Sequence, residues 1–204
     1  MDKEKKIQII KAAVKRFTKH GLNKTTLDEV ARDLRIGKAT IYHYFQSKED
    51  LYYKTLLFEI SLYIDEIKSL LNNEAKIPQE IIFEYIELKE NTAGKYRLIF
   101  ELLLHILTGT QIEPEIQCLQ ELFKEENAVV KEFFKRIAKK DNTGDLPEFL
   151  AEQSWGLLFG GILKNTAYPP KETDASIGTG QSFKKESLIK ELESFFAGKT
   201  EDKK

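Results

Sequence analysis

The chain has 204 residues, a near-neutral net charge of −1 and 41% hydrophobic residues, which is ordinary for a globular protein with a substantial core. Its single cysteine, Cys118, excludes an internal disulfide, and no apolar run approaches the ~18 residues that a membrane-spanning helix needs. The first residues, MDKEKK, also lack the apolar stretch of a signal peptide, so we expect one or two domains, a cytoplasmic location and no membrane partner.

The near-zero net charge conceals a strong asymmetry along the chain. Residues 1–48 contain 12 Lys or Arg against 5 Asp or Glu, a net charge of +7, whereas residues 49–204 contain 20 against 28, a net charge of −8. A basic segment favours attraction to the phosphates of a nucleic acid. Charge runs are also typical of ordinary solvated faces, so the interpretation depends on the motif that this segment carries.

The first part of the chain is predicted to contain two helices. Residues 3–20 have apolar side chains at intervals of three and four, which predicts an amphipathic helix that Gly21 ends; these side chains are Ile7, Ile10, Val14 and Phe17. Thr26 and Glu29 have the form of a capping box, in which the hydroxyl accepts a free backbone N–H at a helix start. We therefore expect a second helix directly after Thr26, with an apolar face made by Leu27, Val30, Ala31 and Leu34.

Only three residues, 35–37, separate this helix from a third one, which is the spacing of a helix-turn-helix. Successive helical side chains rotate by about 100°, so Ile41 and Phe45 point inward while Ala39 and His43 point nearly opposite. The outward surface is small and polar, and it suits the major groove of DNA. The candidate DNA-binding residues are Thr26, Lys38, Ala39, Thr40, Tyr42, His43, Tyr44 and Lys48.

Alternatives remain for several of these residues. Tyr42 and Tyr44 are either core aromatics or groove-edge aromatics, and the nearby lysines favour phosphate contact. Thr26 is a helix cap under any function, although its backbone N–H also lies where a phosphate would bind. His43 is the best candidate for contact with a base edge, against the alternative of an ordinary surface histidine.

One set of residues in this region matches a known family: Ala12, Ala13, Phe17, Gly21, Thr25, Thr26, Val30, Ala31, residues 36–42, Tyr44, Phe45 and residues 47–51. Through these residues the segment 7–52, roughly a quarter of the chain, resembles the N-terminal DNA-binding domain of TetR-family transcriptional regulators. Arg35 stands where the turn of that family commonly carries Gly, so a left-handed backbone there would be strained by about 1 kcal/mol. Gly37 replaces the usual capping Ser.

Beyond residue 47 the pattern is helical throughout, so the predicted fold class is all-α. A fourth helix over residues 48–72 has an inner stripe of Ile60, Ile64, Ile67 and Leu71. A fifth begins after Pro78, with Ile82, Phe83 and Ile86 marking it, and ends near residue 91. A sixth over residues 95–108 is apolar on nearly every side, which predicts that most of it is buried. A seventh covers residues 114–140, an eighth begins near Pro147, and a ninth follows a loop over residues 165–182.

The resemblance implies a helix-turn-helix domain over residues 1–47 and a helical effector-binding and dimerisation domain over residues 48–204, about nine helices in all. In the family the last two helices pair with those of a second subunit. A homodimer of this kind would place two recognition helices about 34–36 Å apart on a near-palindromic operator. The implied interface residues are Trp155, Leu158, Phe159, Ile162, Leu188, Leu192 and Phe195.

The family also implies a small-molecule cavity among helices four to eight, although the sequence alone does not distinguish a cavity from a filled core. His105 is either a hydrogen-bonded core residue or a ligand contact, and a metal site is not expected because no second ligand has suitable spacing. Cys118 is expected to be a small buried hydrophobe. The candidate ligand-binding residues are Phe58, Leu62, Phe83, Ile86, Phe100, Leu103, His105, Leu119, Phe123, Trp155 and Phe159.

The patterns predict a protein that binds double-stranded DNA, and the resemblance implies that it is a ligand-responsive regulator, a repressor that is released by an apolar or aromatic effector. The alternative is an architectural DNA-binding protein of the same fold without a small-molecule switch. We expect no cofactor and no catalytic residues, since the sequence shows no nucleophile with a paired base, no metal-ligand cluster and no phosphate-binding glycine loop.

Overall fold

A computed structural model describes the backbone of residues 2–141 and the side chains of residues 3–137. The elements in this range are all helical, which confirms the predicted all-α class. None of these described helices is both long enough and apolar enough to cross a membrane. The helices are α1 Asp2–Lys24, α2 Leu27–Asp33, α3 Lys38–Tyr44, α4 Lys48–Leu71, α5 Pro78–Glu90, α6 Thr92–Lys95, α7 Arg97–Thr108 and α8 Glu113–Asp141.

The sequence predicted seven helices up to residue 140, and the described chain has eight. The difference is α6, a single turn that Tyr96 separates from α7 by leaving helical geometry, with φ −117° and ψ 71°. The predicted burial of α7 is right for its first half only. Leu98, Ile99, Phe100, Leu102 and Leu103 are buried, whereas Leu104, Ile106 and Leu107 are half-buried.

The chain divides into two compact units. The first unit comprises residues 1–65 and 96–124, and its buried side chains include Ile9, Phe17, Ile41, Phe45, Leu51, Leu56, Tyr63, Leu98, Ile99 and Leu102. Among the described residues the second unit comprises 66–95 and 125–141, and its buried side chains include Ile67, Leu71, Ile81, Ile82, Ile86, Val130 and Phe133. A domain boundary at residue 47 stays a prediction.

Within the first unit, α4 is joined to its neighbours by specific contacts. The rings of Phe17 on α1 and Tyr52 on α4 pack edge to face with centroids 5.1 Å apart. Further along α4, the buried Glu59 carboxylate accepts a hydrogen bond from the backbone N–H of Ile99 at 2.8 Å. Ile99 lies in the first turn of α7, so Glu59 caps a helix whose own capping residue, Tyr96, offers no side-chain hydrogen bond.

The predicted eighth and ninth helices lie outside the described residues. The predicted dimer interface falls there with them: Trp155, Leu158, Phe159, Ile162, Leu188, Leu192 and Phe195. Two of these residues, Trp155 and Phe159, are also ligand-binding candidates.

Candidate nucleic-acid interface

The start of α2 is fixed by the capping box that the sequence predicted. The N–H of Glu29 donates to Thr26 Oγ1 at 3.3 Å, and the N–H and hydroxyl of Thr26 each donate to Glu29 Oε2 at 2.9 Å. These hydrogen bonds, the backbone one first, lower the pKa of Glu29 below its ordinary value. A phosphate that approached the Thr26 N–H would therefore compete with the Glu29 carboxylate.

One contact that the sequence did not reveal holds α1 against α2, and a second one fixes the end of α1. Arg16 donates through Nε and one terminal nitrogen to the two carboxylate oxygens of Asp33, both at 2.6 Å, in a bidentate pair. The buried hydroxyl of Thr25 donates to the carbonyl of Gly21 at 2.8 Å, where α1 is interrupted by the non-helical φ of 72° at that glycine. No local pattern marks such partners, because Arg16 and Asp33 lie 17 positions apart.

The turn between α2 and α3 has the left-handed residue for which strain was expected. Arg35 has a φ of 53°, the single positive φ among the described non-glycine residues. Gly37 is the N-cap of α3 and lies in the extended region, with φ −71° and ψ 147°. At Arg35, where the family pattern commonly has Gly, the backbone is therefore strained by about 1 kcal/mol. At Gly37, where the pattern has Ser, the backbone requires no special conformation.

The α3 helix is anchored by its inner side and exposes its outer side, as its sequence predicted. Ile41 is fully buried and Phe45 is 1% exposed. Thr40 and Tyr44 are half-buried, and Tyr42 is 51% exposed, so Tyr42 is not a core aromatic. The exposed side of α3 consists of Lys38, Ala39, Tyr42 and His43.

Aromatic contacts order this outer surface. The rings of His43 and Tyr44 are 5.0 Å apart and meet edge to face at 82°. The ammonium of Lys38 lies 5.9 Å from the centre of the Tyr42 ring. Rings that pack on neighbours lose less rotamer freedom on binding, so the surface is partly preorganised.

Both lysines predicted to contact phosphate also have partners within the protein. Lys38 Nζ donates to Asp28 Oδ2 at 2.8 Å, and this hydrogen bond raises the pKa of Lys38. Lys48 Nζ donates to the carbonyl of Leu22 at 3.0 Å and is half-buried. An ammonium has three N–H donors, so these contacts position the two lysines without excluding a phosphate.

The side chains of the predicted ligand-binding residues differ widely in solvent exposure. Within the first unit, His105 Nδ1 lies 2.7 Å from Glu115 Oε1, which also accepts from Tyr52 at 2.8 Å, so His105 is a hydrogen-bonded residue. Leu62 in the first unit is 47% exposed and Phe83 in the second unit is 42% exposed, because each side chain lies on the outer side of its helix. Of the other described candidates, Ile86, Phe100 and Leu103 are buried, and Phe58, Leu119 and Phe123 are half-buried. A ligand-binding role for these residues stays a prediction.

The helix-turn-helix region matches a protein-family model. Residues 9–53 match the model described as bacterial regulatory proteins, tetR family. This range contains α2, α3 and the turn between them, together with most of α1 and the start of α4.

Two curated relatives extend this similarity. The uncharacterized HTH-type transcriptional regulator YhgD of Bacillus subtilis is 42% identical over 69 residues, which is 32% of this chain and 36% of the relative. In that match the chain spans little more than a third of the relative's length. The HTH-type transcriptional regulator RutR of Escherichia coli is 28% identical over 156 residues, 74% of this chain and 70% of RutR.

A solved structure is also similar to this chain in fold. The crystal structure of a putative transcriptional regulator from Saccharomonospora viridis in complex with choline has a TM-score of 0.66 and 19% identity. The match covers 96% of each chain. At this level of identity the likeness concerns the fold alone.

Proposed function

We infer from the family-model match over residues 9–53 that the chain is a TetR-family transcriptional regulator, and we propose that it is a ligand-responsive repressor. In this proposal a homodimer binds a near-palindromic operator and releases it when a small apolar or aromatic effector binds the helical body. The exposed outer side of α3, held by the buried Ile41 and Phe45, is the observation that carries the DNA-binding part.

The proposed roles on DNA follow from side-chain chemistry. His43 and Thr40 present hydrogen-bonding groups of the kind that read base edges in the major groove. Lys38 and Lys48 lie at the start of α3 and of α4, where their ammonium groups would neutralise phosphates. Tyr42 completes the surface with a hydroxyl suited to a phosphate oxygen.

Release requires that the effector bind a conformation other than the operator-bound one more tightly, since equal affinity for both shifts nothing. The contacts of α4 within the first unit support a path for such a change. Tyr52 packs on Phe17 of α1, and Glu59 caps α7 through Ile99. A displacement of α7 against α4 would therefore reach α1 through side chains that are already in contact.

The DNA part is tested by selecting bound sequences from a random duplex library with the full chain. We expect an inverted repeat whose half-sites are about one helical turn apart, and a dimer by analytical ultracentrifugation at micromolar concentration. A monomer, or a selected pool without a common motif even at low salt, would contradict the proposal.

The switch is tested separately. Compounds from an apolar and aromatic library that raise the melting temperature are added to the protein–operator complex, and loss of the complex is followed by fluorescence anisotropy. Hits that bind without releasing DNA would instead favour an architectural DNA-binding protein of this fold. Chemical turnover of a hit would favour an enzyme.

A further inference from the structure

The second unit contains a charged pair with no exposure to solvent. The side chains of Lys89 on α5 and Glu126 on α8 are both 0% exposed. Lys89 Nζ and the hydroxyl of Tyr85 both bond to the same carboxylate oxygen, Glu126 Oε1. The Lys89 ammonium also lies 5.5 Å from the centre of the Tyr85 ring.

The helix faces that carry this pair are otherwise apolar. Ile82 and Ile86 precede Lys89 by two turns and one turn of α5, and Val130 follows Glu126 by one turn of α8; all three are buried. Burial lowers the pKa of Lys89 even though Glu126 opposes the shift. A well-packed apolar pair is often at least as stable as a buried ion pair, so stability alone gives no reason for these charges.

The second carboxylate oxygen, Glu126 Oε2, is buried without a hydrogen-bond partner among the described residues. Such atoms are rare in native proteins, because a buried acceptor without a donor keeps its full desolvation penalty. An ionised carboxylate has acceptor sites only, so the missing partner must be an O–H or N–H donor.

We propose that Glu126 Oε2 binds the hydroxyl group of a neutral, otherwise apolar effector. This inference rests on the proposed function and narrows its effector class. The Lys89–Glu126 pair is already neutral, so a neutral ligand adds no net charge to an apolar interior. A carboxylate ligand would meet like charge at Glu126, and an ammonium ligand would leave an uncompensated positive charge.

The ligand test uses two matched series on the full chain, measured by thermal shift and calorimetry. One series is 2-naphthol, 2-methoxynaphthalene and 2-naphthoate; the other is octanol, octyl methyl ether and octanoate. Each ether keeps the oxygen but lacks the donor. We expect at least one alcohol to bind about tenfold or more tightly than its ether and its acid.

The protein test removes the acceptor without leaving a lone buried charge. The double substitution Lys89→Met and Glu126→Leu should abolish the preference for the alcohol. The control makes the same two changes at Lys76 and Glu84, a pair in the same unit whose side chains are 37% and 39% exposed, and should keep the preference. Should the first double variant not fold, the double substitution Lys89→Gln and Glu126→Gln is used; it also leaves no lone charge, and its weaker neutral acceptor should reduce the preference.

Three results would overturn the inference: alcohol and ether binding equally to the wild type, a preference that survives the loss of Glu126, or no binding by either series. Operator binding is measured in parallel, so the results distinguish failure of the inference about Glu126 from failure of the proposed DNA-binding function. Intact DNA binding without an alcohol preference removes only the inference, whereas an alcohol preference without DNA binding removes only the proposed function.

Discussion

The Nζ atom of Lys38, at the start of α3, lies 2.8 Å from Oδ2 of Asp28 in the first turn of α2. The two side chains are 47% and 53% exposed, so the pair is accessible from solvent. A DNA phosphate that accepts a hydrogen bond from this ammonium would therefore meet electrostatic repulsion from the Asp28 carboxylate beside it.

Removing the Asp28 charge should strengthen DNA binding. In Asp28→Asn, Lys38 loses its ionic partner and the local repulsion of phosphate falls, so we expect several-fold higher affinity at low salt and a salt slope steeper by about one unit. Anisotropy titrations over a range of KCl concentrations measure both quantities. Asp65→Asn on the exposed side of α4 makes the same change in net charge and serves as the control. Equal effects from the two variants would show that only net charge matters.

Truncation of Lys48 and truncation of His43 should affect DNA binding in different ways. Lys48→Ala removes a phosphate contact, so we expect weaker binding to every sequence and a salt slope lower by about one unit. His43→Ala should relax the preference at particular base pairs, each by about 1–3 kcal/mol. Binding to an operator and to all its single-base variants measures this. Equal, sequence-independent losses would remove His43 from direct readout.

Because Lys48 also bonds the Leu22 carbonyl, its variant needs a control that keeps the positive charge. Lys48→Arg keeps the positive charge and should retain most DNA affinity. A loss in Lys48→Arg as large as that in Lys48→Ala would show that the Leu22 contact, and not the charge, explains the effect.

Relief of backbone strain at Arg35 should stabilise the protein. Arg35→Gly removes the Cβ that opposes a φ of 53°, and we expect a gain of up to about 1 kcal/mol in the free energy of unfolding, reduced by the greater freedom of glycine in the unfolded chain. Urea unfolding measures the gain. Arg35→Ala keeps the Cβ and should show none. A similar gain from alanine would assign the effect to the lost side chain.

Because Glu59 is buried, its ionisation should make the free energy of unfolding fall as pH rises. Burial raises the pKa of Glu59 from 4.5 to about 7, against the opposing backbone hydrogen bonds from Ile99 and Leu98. Between these values the native state holds more protons than the unfolded chain, so this contribution is present below pH 4.5 and is lost as pH passes 7. The loss is on the order of 3 kcal/mol at most.

Urea unfolding at pH 5 and pH 8 compares Glu59→Gln with the wild type. The amide cannot ionise but keeps an acceptor for Ile99, so we expect the variant to lose less stability between the two values. Glu101→Gln, on α7 and paired with Arg97, is the control and should follow the wild type. A wild-type pH profile in Glu59→Gln would show that Glu59 does not titrate in this range.

Local signals gave most of the first three helices and the buried stripe of α4. The Thr26 capping box, the exposed side of α3 and the burial of Ile60, Ile64, Ile67 and Leu71 were all predicted correctly. Cys118 is buried as expected, and burial raises the pKa of its thiol to about 12. The single-turn helix α6 was missed because its four residues, TAGK, show no apolar period, and the predicted sixth helix began at residue 95, the last residue of that turn.

Helix starts, turn residues and the outward side of α3 follow from the sequence by itself, because capping and the 3.6-residue period act within a few positions. Charge pairing was decided only by the tertiary structure. Arg16 meets Asp33, Glu59 meets the N–H of Ile99 and Lys89 meets Glu126 because separate helices pack side by side. Partners that distant along the chain share no local pattern, and the free energy of each pair depends on the burial that packing creates.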